Sequence, residues 1–471
     1  MAKKTIEEIN RRIKKGKAIV MTAAELCDAV REGERFTPAD VDVVTTGTCG
    51  LMSGTAAVLS FPFCGRNVFR KAEMVWLNGI PAIPGPAPNE RLGEIDAIVY
   101  ATATSVNNPR YGGGHLFREM VEGKCIDVRV RTTEGKTLTS ATTLNGMTHA
   151  RILATRNAFK NYMGFVNTKS ESVKTIFHLS GMTGPYKELT FCGCGEINPV
   201  EKDPVLSTIG IGTRCLINGA VGYITGPGTR STPERPSLSG FADMRGMKPE
   251  YMGGFVTAAG PESISSWAVP LPVLDDKILE NAKKLDGQTR LPVADVHDRM
   301  PFFVSDYGKV WQGVDLNIRF DRSICTGGGK PGRACAGEGG CACRVEAICP
   351  TGAFSHSKMK IDKSLCFNCG ACVRLCPRGA FLGRLGTVNI NGKKVPVTLR
   401  QSNRMRAEQI ASELKRRIEN GSFLLARPAE KMSPGSKGGI QCGIPSVGSA
   451  DGICCGGAGR KRKARHGTMR G

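Results

Sequence analysis

Residues 366–377 read CFNCGACVRLCP. The cysteines follow C-x2-C-x2-C-x3-C, and a proline stands after the fourth. That spacing wraps a short backbone around a cubane iron–sulfur cluster, and the chain leaves at the Cys-Pro step. C-x2-C pairs also hold zinc. Four cysteines in one run closed by proline weigh heavily toward iron–sulfur. Just upstream, residues 325–354 read CTGGGKPGRACAGEGGCACRVEAICPTGAF. Here Cys349-Pro350-Thr351-Gly352-Ala353 repeats the exit Cys376-Pro377-Arg378-Gly379-Ala380. The repeat predicts an α+β, bacterial-type module with two 4Fe-4S clusters over residues 321–382. In such modules the fourth cysteine of each run ligates the other cluster. One cluster is therefore assigned Cys366, Cys369 and Cys372 with Cys349. The other takes Cys376 and three of Cys325, Cys335, Cys341 and Cys343; the spacing does not choose among those four. Two clusters in series form a wire for single electrons, which implies a low-potential electron donor at one end. The region before residue 321 is the expected destination.

Working outward, 471 residues predict two or three domains. Nineteen cysteines occur in a chain whose N-terminus, MAKKTIEEINRRIKKGKAIV, lacks an apolar signal core. No run of 18 apolar residues is present, so no transmembrane helix and a cytoplasmic setting are expected. In that setting the cysteines point to metal or thiol chemistry rather than disulfides. The net charge is +23, and residues 460–471 contribute six Lys or Arg and no acid. Nothing resembles a helix-turn-helix, RNA-recognition or zinc-finger pattern, so nucleic acid is not the expected partner. A basic body steers anionic small molecules or an acidic redox partner.

Residues 1–35 read as helices, with Ile6, Ile9 and Ile13 on one face and Thr22 as a cap. Residues 41–320 alternate β-rich runs with Gly-rich turns, and ARILATRNAFKNYMGF (150–165) reads as a helix among them. Residues 1–320 are accordingly expected to form one large mixed α/β domain. Residues 383–433 contain a hairpin turning at Asn391-Gly392 and a helix over 402–420, whose stripe is Ile410, Leu414 and Ile418 and which stops before Gly421. From residue 434 to 471 the chain is Gly- and Ser-rich and is expected to be a disordered basic tail, although it carries Cys442, Cys454 and Cys455.

In the large domain VDVVTTGTCGLMSG, WLNGIPA, RYGGGHLFREMVEGK, TRNAFKNYMGFVN, STIGIGTRCLINGAVGYITGPGT and MKPEYMGGF occur in order. Together they resemble the homocysteine-biosynthesis family of sulfur-incorporating proteins over residues 1–315. With the cysteine module behind them, they resemble its methanogen branch, the methanogenesis marker 16 metalloproteins. The resemblance implies an anaerobic, archaeal setting. It also implies conversion of aspartate semialdehyde to homocysteine, an aldehyde-to-thiol reaction helped in the family by a separate ferredoxin-like partner. An aldehyde plus sulfide reaches a thiocarbonyl level after loss of water, and a thiol needs two more electrons. A fused cluster wire would supply them, with sulfide or a persulfide as sulfur donor.

The family's nucleophilic cysteine, after the Met of T-T-x-T-x-x-x-M, falls on Ser53 here, and Cys49 stands four residues earlier. A second family cysteine has no counterpart near TTEGKTLTS, and Cys125 lies upstream of that run. The candidate catalytic thiols are therefore this chain's own: Cys192 and Cys194 in FCGCGEINP, and Cys49. Neighbouring thiols carry and resolve a persulfide readily, and two small core residues are the alternative. His115, closing YGGGH at a helix start, is a candidate proton donor or a structural hydrogen-bonder. Arg214 and Arg230 in Gly-rich turns are candidate anion cradles or plain surface arginines. Cys27, Cys64 and Cys215 lie in apolar runs and are expected in the core.

The expected function is reductive sulfur insertion into a small anionic aldehyde, first sulfoacetaldehyde to give coenzyme M. Aspartate semialdehyde is the second substrate. It carries an ammonium group and would need an acid such as Asp243 or Glu196 facing the pocket. A carrier of electrons or sulfur for a methanogenesis metalloenzyme is the non-enzymatic reading.

Overall fold

The stretch Val43–Leu51, VVTTGTCGL, is rich in the β-branched residues that pack well on a pleated surface, and nearly all of it is buried. It pairs antiparallel with Gly260–Pro272 from Leu51 opposite Ile264 to Val43 opposite Pro272. Its first turn pairs parallel with Val20–Thr22. From this axis a fourteen-stranded sheet extends through the described residues. The order runs on through Arg214–Ile217, Ala220–Pro227, Leu238–Asp243, His149–Asn157, Gly54–Pro62 and Glu94–Tyr100 to the far edge at Thr137–Thr142. The protein is described by a computed structural model over residues 4–85, 87, 89–326 and 343–433. Cys335, Cys341 and the tail with Cys442, Cys454 and Cys455 lie outside the described residues. No helix among those residues is long and apolar enough to cross a membrane.

The expected N-terminal helices form as Ile6–Lys14 and Ala23–Arg31, each opened by a capping box, Thr5 with Glu8 and Thr22 with Glu25. The expected C-terminal helix forms as Arg404–Glu419, capped by Asn403 and ended by Gly421 at φ +76°. Its stripe, Ile410, Leu414 and Ile418, packs with Ile9, Ile13 and Val43. The helix sits so close to the axial strand that a Cβ on Gly47 would collide with the backbone carbonyl of Ala407.

The helix expected over 150–165 is not formed: His149–Asn157 is a strand, followed by the short strand Gly164–Val166. Ala150, Ile152 and Ala154 are buried while Arg151, Leu153 and Thr155 are exposed, a period of two. Gly54–Pro62 pairs with one edge of this strand and Leu238–Asp243 with the other. Ladder bonds on both edges outweigh the helix propensity of its Ala and Leu residues.

A second, six-stranded sheet draws from distant parts of the chain. Its order is Pro301–Asp306, Arg290–Asp295, Gly164–Val166, Leu189–Phe191, Lys393–Arg400, Thr387–Ile390. The hairpin of the last two strands turns at Asn391 (φ +49°) and Gly392 (φ +82°), as the sequence predicts. Its long strand runs parallel to Leu189–Phe191, so the C-terminal hairpin completes a sheet begun two hundred residues earlier. In the cysteine segment Arg319–Phe320 pairs with Phe381–Leu382, and Phe354–Ser355 with Lys360–Ile361. Short helices Arg344–Ile348 and Ala371–Leu375 stand between those strands. The described residues fall within one compact unit, Met1–Ser436, of mixed α/β character.

The close seat of the helix at Gly47 is testable. Gly47→Ala should cost about 1–3 kcal/mol through overpacking, read as a lower urea midpoint with the transition slope kept. An unchanged midpoint would mean that the helix does not sit there.

Candidate functional site

The turn Cys192-Gly193-Cys194-Gly195 leaves the strand Leu189–Phe191. Gly193 at φ +133° and Gly195 at φ +68° take conformations that side chains disfavour, and a Cβ on Gly195 would strike the Asp286 carboxylate. The turn's backbone is gripped by side chains. The Asn161 amide pairs with both N–H and C=O of Gly195 (3.0 and 2.8 Å), the Trp311 indole donates to the Gly193 carbonyl (3.1 Å), and the Ser402 hydroxyl accepts from the Gly193 N–H (2.8 Å).

This twist sends the two thiols apart. The Cys192 thiol donates to Gln401 Oε1 at 3.0 Å and packs against the apolar group of Phe165 and Phe177. Cys194 Sγ instead accepts from the backbone N–H of Cys49 at 3.4 Å and lies 3.5 Å from the Cys49 carbonyl. It therefore serves the outer edge of the axial strand where no further strand pairs. The Cys49 thiol faces Ser266 and the Arg406 guanidinium. Burial pushes all three thiols up, Cys194 to about 12, while Arg406 and Ser266 pull Cys49 back down. The structure thus brings Cys194 to Cys49, with Cys192 joined through Gln401.

Residues 400–406, RQSNRMR, link this turn to the cysteine segment. The Arg400 N–H donates to the Cys369 carbonyl at 2.8 Å. Its guanidinium reaches the carbonyls of Asp315 (2.7 Å) and Arg384 (3.2 Å) and lies 5.1 Å over the Trp311 ring. The Gln401 N–H donates to Phe191 (2.9 Å) and the Asn403 N–H to Cys49 (3.0 Å). Arg404 is clamped between Glu196, at 2.7 Å, and Asp286, and Arg31 closes on Glu196 from the other side. Burial works against the Glu196 charge, and the two arginines outweigh it, holding that carboxyl below its usual range. Arg406 Nη2 donates to the carbonyls of Ser364 (3.2 Å) and Cys366 (3.1 Å), and its Nη1 is buried without a hydrogen-bond partner.

On the far side of this segment a small apolar cavity is lined by Cys349, Cys366, Cys369 and Cys372, with Phe354 and Phe367. These are the four cysteines that the spacing assigns to one cluster. They ring a space rather than meet at a point. Among the described residues no three His, Cys, Asp or Glu side chains converge on a single-ion site. Cys325, Cys343 and Cys376 pack in one apolar cluster together with Cys349, Cys366 and Cys372.

The other candidates make their contacts elsewhere. His115 sits in the first turn of the helix Gly113–Val121, where Nδ1 accepts the Gly112 N–H at 3.1 Å and the ring stacks 5.6 Å from Tyr111. Burial lowers its pKa to about 4 against the pull of Glu119, so the ring is neutral at pH 7 and closes a helix end. Arg214 donates to the Leu424 carbonyl (3.0 Å) and stacks over Phe423. Arg230 is exposed beside Arg156. Ser53 hydrogen-bonds the Glu262 carboxylate, and Asp243 pairs with Arg245. Cys27 and Cys215 are buried, whereas Cys64 is half-buried and Cys125 exposed. Sequence reasoning assigned no role to Gln401, Ser402, Asn403, Arg404 or Arg406. The available signal was a polar run between a strand and an amphipathic helix, where solvent alone does not call for two arginines.

The histidine's role has a pH signature. Its folded-state pKa is lowered from the usual 6.5, so the unfolded chain takes up the proton first as pH falls. Stability tied to neutral His115 is complete above about pH 6.5 and declines toward pH 4. Between pH 7 and 5 the wild type should lose about 2 kcal/mol more than His115→Asn, measured by urea midpoints. Equal losses would reject the neutral capping role.

Residues 18–425 match the family described as homocysteine biosynthesis enzyme, sulfur-incorporation. A protein of Methanothermobacter thermautotrophicus, described as uncharacterized, is 45% identical over 421 residues, 89% of this chain and 94% of its own. An L-aspartate semialdehyde sulfurtransferase of Methanocaldococcus jannaschii is 30% identical over 341 residues, 68% of this chain and 65% of its own. One from Methanosarcina acetivorans is 31% identical over 293 residues, 59% of this chain and 56% of its own. No solved structure matches the chain. The family match takes in the axial strand, the Cys192–Cys194 turn, the four-thiol cavity and the linking segment alike, and the chain belongs to the sulfur-incorporating homocysteine-biosynthesis family.

Proposed function

We propose that this protein is a sulfur-incorporating enzyme that reduces an aldehyde to a thiol, as a member of the methanogenesis marker 16 branch. The observation that carries this reading is the segment 400–406, which hydrogen-bonds the loops of the four-thiol cavity and the Cys49–Cys194 pair at once. The reaction balances as aldehyde plus hydrogen sulfide plus two electrons and two protons, giving thiol and water. A persulfide donor would need two further electrons to release its sulfur. The ring of Cys349, Cys366, Cys369 and Cys372 fits a cubane better than a single ion, and Cys376 with Cys325 and Cys343 would belong to a second. Such clusters, when bound, supply single electrons at low potential. Among the described residues the segment runs strand, two short helices, two strands, helix, strand, and the paired strands with a helix before and after them support a ferredoxin-like module.

Within this reading Cys49 carries the sulfur. Burial raises the Cys49 thiol, Arg406 and Ser266 work against that rise, and Cys194 Sγ lies against the Cys49 backbone. The full burial of both thiols keeps water from a thiocarbonyl-level species. The sulfurtransferase relatives make L-aspartate semialdehyde the leading substrate, with homocysteine as product. One observation keeps sulfoacetaldehyde as a second substrate, with coenzyme M as product. Glu196 and Asp243, the acids singled out to meet an ammonium group, are already engaged by arginines.

The test is anaerobic. The full chain is loaded with iron and sulfide, and each aldehyde is supplied with sulfide and a low-potential reductant while thiol is measured by mass. Homocysteine or coenzyme M should appear and fall about 10⁶-fold in Cys49→Ser, the scale on which loss of a nucleophile acts. Reducible clusters without thiol from either aldehyde would favour the electron or sulfur carrier. Cys369→Ser should lose visible iron–sulfur absorption while far-UV circular dichroism is kept. Full absorption in that variant would reject the assigned ligand set.

A further inference from the structure

A cleft of about 580 Å³ opens beside the four-thiol cavity and shares Leu179, Ala371 and Leu375 with it. Leu179 and Leu399, both in the cleft wall, also pack in the apolar cluster that holds Cys49, Cys194 and Cys369. The cleft wall therefore belongs to the same apolar cluster as both sets of thiols.

Its polar floor is already complete. His178 Nδ1 accepts the N–H groups of Ser180 (3.4 Å) and Gly181 (3.1 Å), so its proton sits on Nε2, which points to Glu188 Oε2 at 3.4 Å. Glu188 Oε1 takes both the N–H and the hydroxyl of Thr183, the hydroxyl at 2.7 Å, and Oε2 also receives the Thr398 hydroxyl. Burial raises this carboxyl, and its hydrogen bonds outweigh that and keep it ionised. With its lone pairs engaged, Glu188 offers little to a ligand cation.

The rim differs. Arg344 on the helix Arg344–Ile348 and Arg374 on the helix Ala371–Leu375 line the cleft, and neither has a hydrogen bond or ion pair among the described residues. Two unengaged guanidiniums on the rim outweigh the single charge of the floor, the fully hydrogen-bonded Glu188, and suit a small anion, because the planar fork matches a carboxylate or sulfonate.

We propose that this cleft binds the anionic end of the substrate, a small carboxylate or sulfonate held by Arg344 and Arg374, and so presents the carbonyl toward the wall shared with the thiols. The proposal rests on the aldehyde-to-thiol reading above and names the residues that recognise its substrate.

Ethanesulfonate and propionate, which have the charge but no aldehyde, separate binding from turnover. Titration into the reconstituted full chain should show saturable binding of at least one of them. Arg344→Gln and Arg374→Gln should each weaken it about tenfold or more, and the double variant should abolish it. Both side chains are exposed and unpaired, so melting temperature and cluster absorption should stay at wild-type values. No binding to the wild type, or equal binding to the double variant, overturns the cleft assignment and leaves the reaction standing. Binding that follows the arginines without thiol formation keeps the cleft and sinks the reaction. If the variants slow only reduction by an acidic protein donor, the arginines serve docking and the proposal fails.

Discussion

Arg404 between Glu196 and Asp286 is the contact on which the arrangement of the site depends. Three charged groups are taken out of water together, and Arg31 supplies a fourth. Such a cluster adds little stability over an apolar one, but removing one member leaves the others uncompensated, at about 3–5 kcal/mol. What it confers here is position. Glu196 and Asp286 belong to the turn after Cys194 and to a distant loop, while Arg404 opens the C-terminal helix. The register of 400–406 against the cysteine turn follows from this clamp.

From that register the remaining contacts are determined. Residues 400–403 finish the parallel pairing with Leu189–Phe191 and cover the open edge of the axial strand at Cys49. The helix that follows can then lie against Gly47, where only a glycine lets its backbone approach. One short polar segment therefore closes a sheet edge, caps a helix and backs the four-thiol cavity. Its buried side chains answer to backbone carbonyls as well as to other charges, which is how polar groups become tolerable in a protein interior.

The site was legible in sequence to an uneven degree. Cysteine spacing picked out the four cysteines that line the cavity, three of them within seven residues of one another in the chain. The Cys192-Gly193-Cys194 run stands out in the sequence, but its two thiols do not face each other, since Gly193 rotates the backbone between them. Cys49, 145 residues away, is the actual neighbour of Cys194. His115 showed the reverse. Its helix-start position was visible, and only burial against Tyr111 and the Gly112 N–H reveals a neutral cap.

The sequence by itself determined the local elements: both N-terminal capping boxes, the Asn391-Gly392 hairpin, the Ile410–Leu414–Ile418 stripe and the C-x2-C-x2-C-x3-C run. Each rests on interactions within a few residues. Tertiary structure alone decided that 149–157 is a strand, because its alternating Ala and Ile residues needed two partners from far along the chain. It alone decided that the C-terminal hairpin joins a sheet begun before residue 190, and that Cys49 meets Cys194. Pairings across such separations depend on which edges remain open once the sheets have formed, and no local pattern of residues encodes that.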